Sequence, residues 1–230
     1  MKRKLLVLVI ILLATISQSL AQEKPFLFGM KLAPNIGWMK PNSEGYNNDG
    51  VKSGISWGLV AEIHLMENYD LHSGIDITMI RSALNYPDLK NIDGDPEEGE
   101  MSRLYNLKYL GFPLIFRMKT NENAKKKFFG QFGLELNFLI SGDAKDKFLS
   151  ESAGQVNEEN NIYKELKFAR YSVIVGAGME YALGGSNKLI TGINFNNGIN
   201  DVLKDENKID PSINQIAINN YFEFYVSFLF

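Results

Sequence analysis

Along most of the chain apolar and polar residues alternate with a period of two, the spacing at which successive strand residues face opposite sides. In the first such segment Phe26, Phe28, Met30, Leu32, Ile36 and Trp38 share one parity, and Gly29, Lys31, Asn35 and Gly37 the other. The second sets Ile55, Trp57, Leu59, Ala61, Ile63 and Leu65 against Ser56, Gly58, Glu62 and His64. The third sets Tyr69, Leu71, Ile75, Ile77 and Met79 against Asp70, His72, Gly74, Asp76 and Thr78. In the fourth, Arg103 to Met118, the apolar parity starts as Tyr105, Leu107 and Tyr109, but both parities turn apolar after Leu110. Pro113 cannot donate to a ladder, so a bulge that shifts the phase is expected there. Four more segments follow, carried by Phe128 to Ile140, Tyr171 to Tyr181, Leu189 to Phe195, and Ile218 to Phe230. The pattern predicts eight amphipathic strands, most of them longer than the ~9–11 residues that cross a bilayer as tilted strand.

The links between the strands alternate in length. Those near 39–53, 85–102, 142–166 and 200–215 are long and polar, and those near 66–68, 119–127 and 184–187 are short. Gly184-Gly185-Ser186-Asn187 is favourable hairpin-turn chemistry. Such regularity predicts an all-β, eight-stranded antiparallel up-and-down transmembrane β-barrel, with long loops outside and short turns in the periplasm. The apolar parity then faces lipid and the polar parity the lumen. The polar parity is rich in Gly and small residues, which suits a crowded interior. Aromatics fall near the strand ends: Tyr69, Phe128 and Tyr181 on one side, and Trp38, Trp57, Tyr105, Phe138 and Tyr171 on the other. These are interfacial-girdle positions. A secreted lipocalin-like barrel holding an apolar ligand is the alternative, with the same strands turned inside out.

The N-terminus fits this destination. Lys2-Arg3-Lys4, an unbroken apolar run from Leu5 to Ala14, and Ser19-Leu20-Ala21 have the order of a cleavable signal peptide. Residues 1–21 are expected to be removed, leaving 22–230 as the barrel and taking the formal charge from −3 to −6. Cysteine is absent, which excludes disulfides and thiolate chemistry. The acidic balance excludes a general nucleic-acid binder. A mean hydropathy of −0.15 resembles that of a soluble protein, but it averages two opposite faces and four charged loops.

The last strand alternates Phe222, Phe224, Val226, Phe228 and Phe230, and a terminal Phe resembles the signal read by the barrel-assembly machinery. Together with the stretch Tyr109-Leu110-Gly111-Phe112-Pro113-Leu114-Ile115-Phe116, these features resemble the PorT family of Bacteroidetes outer-membrane barrels. Where that family usually carries an acidic residue after the Leu, this chain has Gly111. The resemblance implies an integral outer-membrane protein. Its namesake's link to type IX secretion makes a place in an export machine the second functional expectation. No functional residues are carried over from the family.

Candidate chemistry is sparse. The expected luminal charges are Lys31, Lys108 and Arg170 against Glu62, Asp70, Asp76, Glu135, Glu180 and Glu223. Eight strands leave an interior that side chains fill, so an ionic plug is expected rather than a conducting channel. His64 and His72 are the only histidines. If 67–69 form the turn, they face each other beside Glu62 and Asp70, and these four are candidate ligands for zinc or copper. The incomplete ligand set favours a polar cluster without metal. The acidic run Asn91, Asp93, Asp95, Glu97, Glu98 and Glu100 lacks the EF-hand pattern, since Pro96 stands in place of the Gly and Ser102 in place of the bidentate Glu. Lys125-Lys126-Lys127 reads as a solvated turn. No nucleophile elbow or phosphate loop occurs, and both histidines map to the periplasmic end, so neither catalysis nor a cofactor is expected. The expected partners are outer-membrane lipid and lipopolysaccharide, the assembly machinery at Phe230, and other envelope proteins met through the outer loops, above all 142–166.

Overall fold

The computed structural model describes residues 26–92, 94–152 and 154–230. The expected signal peptide and Asp93 lie outside them. The described strands are β1 (Phe26–Pro41), β2 (Asn47–Met66), β3 (Tyr69–Ile92), β4 (Asp95–Lys119), β5 (Lys126–Ser150), β6 (Gly154–Asn161), β7 (Ala169–Gly184), β8 (Asn187–Gly198) and β9 (Ala217–Leu229). All the pairings are antiparallel. Neighbours run from β1 through β5, pass to β7, β8 and β9, and return to β1. Eight strands therefore close a barrel with no free edge in its wall. The ninth, β6, pairs with the upper part of β5 alone. No helix among the described residues is long and apolar enough to cross a membrane, which says nothing against crossing by strands.

The short links are tight, as predicted. Glu67 and Asn68 join β2 to β3. The link between β4 and β5 turns through Ala124 and Lys125, both with positive φ. Gly184 and Gly185 adopt positive φ at the β7–β8 link, where a side chain would be strained. Three of the expected long loops turn out to be largely strand: 39–53 belongs to β1 and β2 except for 42–46. Residues 85–92 and 95–102 are the continuation of β3 and β4, paired as far as Ile92 with Asp95, and 142–150 and 154–161 belong to β5 and β6. Polar composition suggests loops there, but antiparallel cross-strand pairing holds these segments extended. The segment 200–215 is irregular, as expected.

The polarity of the wall inverts at one level. On β3, Tyr69, Leu71, Ile75, Ile77 and Met79 point outward while Asp70, His72 and Asp76 point inward. Two residues higher the outward side chain is Arg81, and the inward ones are Ile80, Leu84 and Tyr86, all buried. On β4, outward Met118, Phe116, Leu114, Phe112 and Leu110 give way to Lys108 and Asn106, as inward Lys119 and Arg117 give way to Tyr109, Leu107 and Tyr105. The apolar-out stretch is eleven residues on β3 and nine on β4, matching the ~9–11 needed to span a bilayer. Above it β3 continues for thirteen residues, or ~40 Å along the strand at ~3.3 Å per residue. The outer half obeys the rule of a soluble protein, with its apolar side chains inside.

This inversion corrects the reading of the fourth strand. Tyr105, Leu107 and Tyr109 face the interior, not lipid, and Lys108 faces outward, not the lumen. The phase of β4 does not shift at Pro113, which lies buried on the inward parity. The bulge sits on β5 instead: Lys108 pairs with Ser141 and Tyr109 with Leu139, leaving Ile140 unopposed. That extra residue turns β5 from odd residues inward (Gln131, Glu135, Asn137, Leu139) to even ones (Ala144, Asp146, Phe148), which lets the strand serve both halves.

If this level marks the outer face of the bilayer, Leu134→Arg, midway along the lipid-facing part of β5, lowers the unfolding free energy by about 2–4 kcal/mol. Lys147→Leu, on the outer surface above the membrane, changes it by less than about 0.5 kcal/mol. Urea titration in lipid vesicles measures both.

Candidate functional site: a charged lumen beneath an apolar cap

The inward parity of the membrane half places charged residues where water is scarce, so each needs a partner. At the periplasmic end Lys119 Nζ lies 2.6 Å from Asp70 and 3.8 Å from Glu180. Lys188 bonds Glu62 and lies 3.4 Å from Glu180. His72 Nε2 is 2.9 Å from Glu62, and His64 Nδ1 is 2.8 Å from Asp70. Arg117 reaches toward Glu62 at 3.9 Å, donates two bonds to Gln131 and stacks 4.0 Å over Phe129. One layer up, Lys31 holds Asp76 at 2.5 Å and Glu223 at 3.5 Å. The topmost polar layer centres on Glu135, which accepts from Asn196 at 2.6 Å and from Tyr221 at 3.2 Å. Arg170, fully buried, lies 3.9 Å from it. Inward glycines leave room for these chains. A Cβ on Gly111 would come within 2.8 Å of Asn137 Oδ1 and 2.9 Å of Glu135 Oε1, so the space a side chain would take at 111 is already held by a carboxylate from the neighbouring strand.

Of the expected luminal residues, Lys31, Arg170 and all six carboxylates are where the alternation put them, and Lys108 is not. Three cations were missed: Arg117, Lys119 and Lys188. The first two share the odd parity of β4 that Tyr105 and Tyr109 had assigned to lipid. Lys188 stands just past the expected turn, in phase with luminal Asn194 and Asn196. Their parity was legible once the phase of β4 was known. With them the lower layer balances, since Glu62, Asp70 and Glu180 face Lys119, Lys188 and Arg117.

The four candidate ligands do gather, but in a different register. Met66 pairs with Tyr69, and a bulge then sets His64 opposite Asp70 and Glu62 opposite His72. The histidines therefore do not face each other, because the turn is shorter than 67–69. Glu62, Asp70 and His72 each offer one atom within 4.8 Å of the others. A cavity of about 370 Å³ opens below them to the periplasmic side, lined by His64, Lys119, Lys127, Glu180 and Lys188 among others.

Above the charged layers the lumen is apolar. Met39, Ile80, Leu84, Leu107, Tyr109 and Phe148 pack there with Ile162 and Leu166 from the segment after β6 and Val202 and Leu203 from the segment after β8. Those two segments are tied together, Lys167 N to Val202 O at 2.8 Å and Lys204 N to Glu165 O at 3.2 Å. Within this cap Arg103 forks onto Asp146 with two bonds of 2.7 Å and reaches Glu165 at 2.7 Å. Burial opposes its charge, but the Asp146 carboxylate and the neighbouring tyrosines hold it above the usual guanidinium range. Burial pushes the Tyr86 and Tyr105 hydroxyls up. At the rim, the hydrogen bond from Lys90 holds Glu158 below the usual carboxylate range.

A closed eight-stranded wall with lipid-compatible outward residues and a charged interior defines an integral outer-membrane β-barrel. Residues 17–204 match the model of the outer membrane protein beta-barrel domain, and the chain belongs to that family. No curated protein matches the sequence. Among solved structures it is similar to neisserial surface protein A, from Neisseria, at 13% identity over 89% of this chain and 96% of that one, with a TM-score of 0.40. It is also similar to Ail of Yersinia pestis, solved with the heparin analogue sucrose octasulfate (12%, 90% and 100%, TM-score 0.35). A third is the outer membrane protease OmpT of Escherichia coli (10%, 93% and 98%, TM-score 0.36). Similarity of this degree identifies neither a ligand nor an activity.

Glu62→Gln leaves Lys188, Arg117 and His72 facing a neutral amide in the lumen and should cost about 3–5 kcal/mol. Replacing both members of the pair, Glu62→Leu with Lys188→Met, should recover most of that loss. Unfolding in detergent, followed by tryptophan fluorescence, gives both values.

Proposed function

We propose that this outer-membrane barrel is of PorT-like type, has no catalytic activity, and works as an interaction protein through the sheet that β3, β4, β5 and β6 raise above the membrane. The observation that carries this reading is the filled interior. Ion-paired layers occupy the membrane half, an apolar cap occupies the outer half, and what projects beyond them is a hydrogen-bonded sheet. Support for the PorT-like assignment comes from Tyr109 to Phe116, with Glu135 standing in the space beside Gly111. Against catalysis stands the position of the two histidines, both engaged by carboxylates deep at the periplasmic end.

The same geometry favours a structural role for Glu62, Asp70, His64 and His72 over a metal centre. Lys119 and Lys188 already neutralise the two carboxylates, so a divalent cation would enter next to two ammonium groups and gain little. Zinc added in excess should leave the unfolding midpoint of the full-length protein unchanged. A rise that His72→Ala abolishes would replace the plug with a metal site.

In planar bilayers the protein should show no discrete conductance steps, and its mobility on gels should shift on heating, as a closed barrel's does. Stable steps would refute the plugged lumen. Recovery in the soluble fraction without a mobility shift would refute the interaction role at a membrane surface.

A further inference from the structure

At the level where the wall inverts, β2 and β3 lose register between Val51 and Ile55. The irregularity opens a notch of about 180 Å³ on the outer wall, with Ile55 and Met79 below and Ser53 and Arg81 above. Arg81 is exposed, and its one side-chain hydrogen bond among the described residues is a donation to Asn106 Oδ1 at 3.5 Å. On the adjacent strand Lys108 also points outward, paired in register with Met79 and so diagonal to Arg81. Neither cation has an ion-pair partner among the described residues, although acidic residues outnumber basic ones in the extracellular segments. Arg81 also borders a second concavity of about 560 Å³ that rises along the outer surface of β4, β5 and β6. Its other borders include Asn106, Asp143, Lys145, Glu159 and Asn161.

We propose that this wall binds a phosphorylated glycolipid of the outer leaflet. The three surfaces follow one another at the heights where such a molecule changes chemistry. Ile55 and Met79 meet the upper part of an acyl chain. Arg81 and Lys108, at the headgroup level, meet phosphate, with the guanidinium supplying a planar fork and the ammonium a point charge. The amides and carboxylates above supply donors and acceptors for sugar hydroxyls. A phospholipid headgroup ends at the phosphate layer and leaves the upper concavity unused, so the continuous path through Arg81 favours a glycolipid. The inference rests on the membrane level set by the polarity inversion and not on the extracellular sheet's role as an interaction surface.

The test is native mass spectrometry of the full-length protein in detergent, with three probes added separately: a phosphorylated diglucosamine lipid, the same lipid enzymatically dephosphorylated, and phosphatidylglycerol. The phosphorylated glycolipid should bind most tightly. Arg81→Gln with Lys108→Gln, and removal of the phosphates, should each weaken it about tenfold, the scale of lost charge-assisted hydrogen bonds. Lys147→Gln should leave it unchanged, and Asn161→Ala should weaken the glycolipid but not phosphatidylglycerol. Equal binding by the double variant, or equal binding of phosphatidylglycerol, overturns the proposal. Heat-shifted mobility of each variant monitors the fold. If the double variant lacks it, Arg81→Gln alone, on the exposed wall, carries the comparison. Loss of the mobility shift in the parent protein would instead count against the membrane level itself.

Discussion

Everything in this molecule depends on the pairing of β1 with β9. Inside a bilayer no water is available to bond an exposed amide or carbonyl, so a sheet is viable there only when it has no edge. The register from Gly29 with Leu229 to Pro41 with Ala217 supplies the closing bonds. Once the ring is closed, each strand has one side toward lipid and one toward a space too narrow for bulk water. The alternation of side chains then becomes a choice between two solvents, and the charged residues must find one another.

The second organising fact is that this choice is made twice. Below the level of Met79 and Leu110 the strands hide most of the buried charge; above it they hide mainly hydrocarbon, with the Arg103–Asp146 pair enclosed in it. The change needs no change of fold, only a change in which parity is apolar, and on β5 one extra residue near Ile140 brings the phase of the strand into line. The two interiors are sealed in different ways. In the lower one, carboxylates and cations neutralise each other across strands that are far apart in sequence, as with Glu62 and Lys188 or Lys31 and Glu223. In the upper one, segments that begin as loops lay Ile162, Leu166, Val202 and Leu203 over the mouth.

The eight strands of the wall, its closure, the short turns and the lipid-facing residues of the membrane half were legible in the sequence, because a period of two over nine or more residues has few other meanings; the short, polar β6 was not. Tyr105 and Tyr109 were not. Their alternation with Asn106 and Lys108 is the same whether the apolar side faces lipid or a core, and only the height above the membrane decides. The upper parts of β3, β4 and β5 read as loops for a related reason: Asp, Glu, Lys and Asn on an outward face in water look like any polar link. Of the candidate site, the parity of Glu62, His64, Asp70 and His72 was readable, but their pairing was not. A turn shorter by one residue, followed by a one-residue bulge at Leu65, moves the register by two, which changes every partner without changing any face. Lys188 and Lys119 stand at strand ends, where boundaries are hardest to place from sequence.

The crowding of the lumen also constrains the order of assembly. Lys31, Arg117, Arg170 and their partners leave no passage through the finished barrel for a hairpin as long as that of β3 and β4, with its charged rim. The extracellular sheet must therefore reach the far side of the membrane while the wall is still open. The seam between the first and last strands can join only afterwards, which makes it the step that commits the chain to its final topology.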